Sequence, residues 1–564
     1  MRDPLVQLQD RLVDRRWFIR FLEIFPGTLS WLALILPIVL SLTSPVLVAY
    51  FIIAFDLYWT IKSFRQGANL IRGYDRLHRA ERIDWNDRLE WILDPIQAQI
   101  LTKQRYADYV TELGRIPRRG LRFRPSAKYL MARQLKDDVR AAEELSAHSH
   151  SMLDPKTVFN VVFIATYNES LAILEPSVKA LIQVDYPLSQ LMLVIAYEER
   201  GGSETKKNAE YLIQTYGHHF AYAKAIEHPS GIAGEVIGKG GNITYAGRVF
   251  TSDMEERGIS PEHIIVTTFD SDHRASKNYF SYLTYLFSTD PNRDRKSYQP
   301  IPMFYNNIWD VPAPMRVIAA GNSFWLLMET MRPHRLRNFA AHAQSLSALI
   351  ATDYWSVTTI VEDGHQYWRS YFAYDGDHQV EPVFTPIYQD AVLADTYFKT
   401  FRAQYLQQRR WAWGVSDFPY AVRMSMRNRR IPWSDKLVQL FRLIEGHFSW
   451  ATASVIITTV AWLPLVLNRH FSYMTLAHQL PIITSRIMQI ASVGIIITIY
   501  ISLISLPPRP KRYRKTRSVA MALQWVLLPV TAILLGSLAA FDSQTRLMLG
   551  KKLEFYVTEK SVKK

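Results

Sequence analysis

Along the chain, hydrophobic and polar positions fall into two textures. From Phe25 to Leu42 and from Val46 to Ile61 the sequence is almost wholly apolar, broken only at Thr43-Ser44-Pro45. Each run is slightly short of the roughly 20 residues that cross a bilayer core, and together they are too long for one crossing, so the pattern predicts a tight helical hairpin. Three further apolar segments, about 446–467, 482–506 and 519–541, lie near the other end. Between them the texture changes. Residues from about Ser63 to Lys156 are polar with helical periodicity and carry the basic group Arg115, Arg118, Arg119, Arg122 and Arg124, expected to rest against the membrane and the next domain. From Thr157 onward, short apolar runs alternate with helical segments, as in a parallel sheet with crossover helices. The strand candidates 158–164, 191–196 and 263–269 each end in a polar cluster. That is the edge at which open α/β sheets bind ligands.

Charge sets an orientation. The chain of 564 residues has a formal charge of +15, and its cations concentrate beside apolar segments. That placement fits cytoplasmic flanks facing anionic lipid and argues against a nucleic-acid partner. Five arginines precede the hairpin and Lys62, Arg65 and Arg72 follow it, with no cation in the turn, so both flanks belong inside. No small-residue cleavage site follows Arg11, Arg15, Arg16 and Arg20, so the first span is expected to be retained. Cysteine is absent, which excludes disulfides and thiolate metal sites. Asp56 lies inside the second apolar run and reads either as a polar channel contact or as an end-of-helix residue near Trp59 and Lys62.

Candidate chemistry then appears in order. Asp270 and Asp272 end a strand one residue apart, so in extended geometry their carboxylates share a side and can hold a hard divalent cation; the alternative is a polar turn, and His273 is a possible third ligand. Lys239-Gly240-Gly241-Asn242 lies in a glycine-rich loop that suits a phosphate or is simply flexible. Glu362-Asp363 precedes a helical stretch, as an N-cap or a general base. On a helix Gln407, Arg410 and Trp411 face one way, offering an amide, a guanidinium and an indole to a diphosphate and a sugar ring; the plainer reading is an interfacial helix.

Asn168-Glu169, Lys239-Gly-Gly-Asn242, Asp270-Ser-Asp272, Glu362-Asp363 and Gln407-x-x-Arg410-Trp411, with apolar spans on either side, resemble the processive family-2 glycosyltransferases, which include cellulose, hyaluronan and chitin synthases. Phe555-x-Val557-Thr558-x-Lys560 also resembles the gating-loop segment of bacterial cellulose synthases. The resemblance implies an integral membrane protein, placed in the bacterial inner membrane, with an α/β GT-A (Rossmann-like) catalytic domain inserted between transmembrane helices and both termini cytoplasmic. It implies a nucleotide-sugar donor such as a UDP-sugar, Mg²⁺ or Mn²⁺, a glycan acceptor, membrane lipid, and a homo-oligomer or accessory subunit that completes a channel.

Carried over by position, Thr166, Tyr167, Glu169 and Glu198 would flank the nucleoside, and Lys239 its ribose and phosphates. Asp270, Asp272 and His273 would hold metal and diphosphate, with Asp363, beside Glu362, as the base. Arg410 would stabilise the leaving group, Gln407 and Trp411 would support the acceptor, and Thr558 and Lys560 would close over nucleotide. The implied partition is 1–62 (N-terminal hairpin), 63–156 (helical segment), 157–395 (catalytic domain), 396–445 (interfacial helices), 446–541 (membrane region) and 542–564 (gating-like tail). Two departures stand out. Relatives commonly place an aspartate where this chain has Glu198-Glu199, and the 57 residues after Pro507 are too few for two further helices plus the cyclic-dinucleotide-binding barrel of bacterial cellulose synthases, so direct control of that kind is not expected. Transfer of a single sugar to a lipid or short glycan, or a silent nucleotide-sugar sensor, are the competing readings.

One conflict concerns topology. Three crossings after residue 446 would leave the end of the chain outside, yet six cations lie between Pro507 and Ser518 and six more follow Phe541. The expectation is four spans, with 519–541 interrupted at Pro529 and returning as a re-entrant or interfacial hairpin.

Overall fold

The computed structural model describes residues 13–114 and 126–556; the basic group Arg115 to Arg124, and Thr558 and Lys560, lie outside the described residues. The α/β domain is present where the alternating texture predicts it. Its eight strands are β1 (Phe159–Thr166), β2 (Leu191–Glu198), β3 (Tyr222–His228), β4 (Ile264–Asp270), β5 (Arg274–Ala275), β6 (Lys296–Met303), β7 (Ala343–Ser345) and β8 (Gln379–Tyr388). They form one sheet in the order β3-β2-β1-β4-β7-β6-β8-β5. The first four are mutually parallel, whereas β7 runs antiparallel to both β4 and β6.

Alternation in β1 sorts its side chains to two cores. Val162 and Ile164 join helices Leu171–Ile182, Gly202–Tyr216 and Tyr279–Thr289 on one face, while Val161 and Phe163 meet helix Lys239–Glu256 and Trp355 on the other. Because both faces are covered, β2 is buried throughout and reads as a continuous apolar run. The carboxyl ends of β1, β2 and β4 therefore point their loops at one edge.

Among the described residues, five helical runs are long and apolar enough to cross a membrane: Arg16–Thr43, Pro45–Ala80, Trp433–Leu467, Thr475–Ser505 and Thr516–Met548. The first four form a bundle. Its core contains Val48, Ile52, Ile456, Val460, Phe471 and Leu480. Its far end is closed by the predicted turn at Ser44 and by the 468–474 connection, where the Asn468 amide donates to Leu42 O at 3.0 Å. Its near end continues into the domain, since Leu70 and Leu77 of the second helix pack with Ile301, Met303 and Phe324. Asp56 is 3% exposed and lies well inside the helix Pro45–Ala80, so it is not the end-of-helix residue that one reading gave.

The fifth run does not form the expected hairpin. Pro529 follows a 3₁₀ turn at Gln524–Leu527 and opens a new α turn, a position that needs no backbone N–H, and the flanking residues keep right-handed helical dihedrals. A π turn at Ala532–Ser537 then leads into Leu538–Met548 without reversal. Instead of leaving the domain, the run packs along it. Arg517 donates to Trp309 O at 2.9 Å, and Gln524 Oε1 accepts from Arg316 at 2.5 Å. Trp525 is buried with Val317 and Leu327, Asp542 pairs with Arg409 at 3.0 Å, and Leu547 packs on Trp413. Arg20, near the start of the first helix, donates to Met548 O at 2.9 Å. Residues at both ends of this run thus contact the α/β domain or the start of the first helix.

Candidate active site

The end of β4 delivers Asp270 and Asp272, and the turn that follows delivers His273. Oxygen and nitrogen donors of these three residues lie within 4.8 Å of one another. Asp272 is buried and its Oδ2 accepts the Asp390 N–H at 2.7 Å, while the Asp270 side chain is 37% exposed toward the cleft. His273 Nδ1 accepts the Asp270 N–H at 3.1 Å, so its proton sits on Nε2 and is given to Gln389 Oε1 at 2.9 Å. The ring braces both Asp270 and Gln389; ligation through Nε2 would require the Gln389 contact to break. Two carboxylates with water as the remaining shell suit a hard cation of the Mg²⁺ or Mn²⁺ kind, so the donor set fits such an ion.

Helix Lys239–Glu256 begins beside this pair. Its tight start depends on Gly240, where a Cβ would collide with the Ser356 carbonyl. Lys239 reaches Asp270 Oδ1 at 2.8 Å and lies 3.9 Å from Asp363 Oδ1. Burial disfavours the ammonium, but Asp270, Asp363 and Glu362 outweigh it and hold its pKa well above the ordinary lysine value. Lys239 is thus a fixed cation between two acidic groups.

Glu362 and Asp363 occupy the first turn of helix Glu362–Ala373, where the helix dipole favours anions. Glu362 is 3% exposed; burial first, then the Asp363 charge, raises its pKa, and Lys239 and Arg410 oppose the rise. Asp363 Oδ1 is buried without a hydrogen bond, and His342 Nδ1 stands 3.5 Å away. His342 gives its Nδ1 proton to Phe339 O at 2.9 Å and accepts the Trp355 indole N–H on Nε2 at 3.1 Å. Burial lowers its pKa, so it stays neutral beside Asp363. Behind Asp363, His365 and Asp417 pair at 2.7 Å and tie the helix to its neighbour Asp417–Arg427.

Other expected site residues divide into two groups. Arg410 stacks over Phe555 at 5.1 Å, and a Cβ on Gly238 would lie 3.5 Å from the same ring, so the described part of the tail lies between the glycine-rich loop and Arg410. Asn242 fastens its helix to β2 by donating to Ala196 O at 2.8 Å. By contrast, the Glu169 carboxylate turns back on its own loop, accepting from Thr166 Oγ1 and from Tyr167 N, each at 2.8 Å. Glu198 is claimed by Arg200, whose guanidinium also covers the Tyr167 ring at 4.1 Å. Gln407 is buried and accepts from Gln404 at 3.1 Å, and Trp411 packs near Phe304 at 6.4 Å. Sequence reasoning missed Gln389, Asp390 and His342. The first two follow β8 at a strand's carboxyl end, a signal that was available; His342 precedes a strand of three residues and had none.

No family model matches the chain, and no curated protein sequence matches it. Among solved structures it is similar to the mannosyltransferase PcManGT from Pyrobaculum calidifontis in complex with GDP-Man and Mn²⁺, at 13% identity and a TM-score of 0.39, covering 70% of this chain and 88% of that one. It is also similar to S. aureus TarS 1-349 in complex with UDP-GlcNAc, at 13% identity and a TM-score of 0.34, covering 71% and 94%. Superpositions this loose carry no argument about activity, which rests on the residues themselves.

Proposed function

We propose that the protein is a membrane-embedded glycosyltransferase of GT-A type that moves a sugar from a nucleotide-sugar donor to a hydroxyl acceptor with inversion, and that it elongates a β-linked polysaccharide. The observation that carries this reading is Lys239, one buried cation shared between Asp270 on the metal side and Asp363 on the helix side. A donor diphosphate would meet a cation there from below and a base across the cleft.

Asp270 and Asp272, braced by His273, would hold a divalent cation, which when bound would neutralise diphosphate charge. Lys239 and Arg410 would supply further positive charge to the leaving group. Asp363 would take the proton of the acceptor hydroxyl as its oxygen bonds to the anomeric carbon and the carbon–phosphate-oxygen bond breaks on the opposite face. With no hydrogen bond on its buried oxygen, Asp363 has a lone pair free to accept that proton. Phe555 and the tail beyond it would cover bound nucleotide, and the domain would face the cytoplasm, the side to which the cationic flanks belong.

The test is nucleoside-diphosphate release by the purified protein over a panel of UDP-, GDP- and ADP-sugars with Mg²⁺ or Mn²⁺, with product sized on a gel. Metal-dependent release from one donor with long product supports the proposal. Short product replaces polymerisation by single transfer, and binding without turnover replaces the enzyme by a sensor.

A further inference from the structure

Among the described residues, four that are not glycine have positive φ, and three of them stand at one imidazole. Ala341 (φ 65°) immediately precedes His342. Asp353 (φ 50°) and Tyr354 (φ 54°) immediately precede Trp355, whose indole N–H meets His342 Nε2 at 3.1 Å. A side chain with a Cβ is disfavoured in this region, so each position is held against a local cost. The holding contacts are specific. Arg369 donates to the carbonyls of Thr352, Asp353 (3.2 Å) and Tyr354 (2.8 Å), and the Tyr354 hydroxyl shares a hydrogen bond with Thr251 Oγ1 at 2.7 Å. On the other side, the Thr268 N–H of β4 donates to His342 O at 3.2 Å, and Gln299 Oε1 accepts the Phe339 N–H at 2.7 Å. Strain that the surrounding structure sustains from several sides concentrates where geometry serves function.

A buried indole needs an acceptor, and any carbonyl would serve. Trp355, 1% exposed, takes instead the ring that stands 3.5 Å from Asp363 Oδ1. That choice fixes the ring's chemistry. With an N–H aimed at Nε2, a proton on that nitrogen would face another proton, which disfavours both the Nε2–H tautomer and the imidazolium. The single ring proton is left on Nδ1, and Phe339 O accepts it at 2.9 Å. Asp363 thus faces an N–H edge that is engaged elsewhere. It meets neither a nitrogen lone pair, which would trap a proton between the two groups, nor an imidazolium, which would hold the carboxylate oxygen in an ion pair. Burial, the largest influence on the ring, keeps it neutral; Asp363 and Lys239 are the charged groups that act on it, and His378 lies within electrostatic reach.

We infer, on the reading of Asp363 as the general base, that Trp355 and His342 are positioning residues for it: the indole locks the imidazole in its Nδ1–H form, and that form leaves Asp363 Oδ1 open to the acceptor's proton. The left-handed turns before each residue aim the two rings at one another.

The experiment follows kcat against pH for the full chain, with the donor and divalent cation that support nucleoside-diphosphate release, in wild type, Trp355→Phe, Arg369→Ala and the double variant Trp355→Phe with His342→Gln. Freed of the indole N–H, His342 takes up a proton more readily as pH falls. The acidic limb of Trp355→Phe should therefore move to higher pH by about one unit. Arg369→Ala loosens the turn that carries Trp355 and should move the limb the same way by less; it replaces Trp355→Phe if a lowered Tm shows that loss of the indole unfolds the core. In the double variant the side chain at 342 no longer titrates, so the limb should return to its wild-type position. A merely structural role would lower kcat at every pH and leave the limb in place. Limbs that coincide in all variants, or a shift that persists in the double variant, would overturn this inference and leave the base reading standing. No turnover from any donor, or turnover undiminished in Asp363→Asn, would overturn both.

Discussion

Asp270 and Asp272 at the end of β4, and Glu362 and Asp363 at the start of a helix, are two carboxylate pairs a short distance apart and held by different means. The strand-end pair is tied into the backbone: Asp272 accepts the Asp390 N–H, and His273 grips the Asp270 N–H and Gln389. At the helix start, by contrast, Asp363 Oδ1 is buried without a hydrogen bond, while the buried Glu362 carboxylate meets only the backbone N–H of its own residue. Fixed oxygens suit a cation that must stay in place. Under-coordinated oxygens suit a proton that must arrive and leave. Lys239 touches both pairs and keeps their charges balanced in one cleft.

The sharpest break of this contrast is Asp363→Asn, which keeps the shape and removes the base. Turnover should fall by about 10²–10⁴ while donor and metal binding by calorimetry stay unchanged. On the other side, Gln389→Ala removes the partner of His273 without touching a carboxylate. Metal affinity, followed by titration of Mn²⁺, should weaken by about 10–100-fold, with turnover restored at high metal. Gly240→Ala tests the scaffold between the two pairs. Its Cβ meets the Ser356 carbonyl, so the variant should lose about 1–3 kcal/mol, read as a lower Tm. The smallest effect is a slope. Glu362 has a raised pKa, so the folded state binds more protons than the unfolded state between the ordinary glutamate value and the raised one. Stability should therefore decline as pH rises through that window, and Glu362→Gln should flatten the decline in a Tm series.

Much of this arrangement was legible in the chain. The central strands followed from their apolar runs because β1, β2 and β4 are covered on both faces and have no reason to alternate polar residues. Asp270, Asp272, Lys239 and Asp363 converge because each lies just beyond an element whose end the pattern marks. Other local contacts were not legible. Glu169 accepts from a backbone N–H two residues away and Glu198 from an arginine two residues away, contacts that no motif spacing announces. The cations on both sides of 519–541 suggest a hairpin turning at Pro529, whereas a 3₁₀ turn before that proline and a π turn after it carry the helical run past it. The neutral partner His342 depends on the fold bringing Phe339, Trp355 and Asp363 around one ring, which no spacing encodes.

The central claim is that the two pairs act on one donor from opposite faces. The most direct measurement is the anomeric configuration of the first product formed from an α-configured nucleotide sugar that the protein turns over, assigned by proton NMR before any equilibration. The account predicts a β-linked product from wild type, formed about 10²–10⁴ times more slowly by Asp363→Asn. An α-linked product, or a β-linked product made at full rate by the variant, would contradict it.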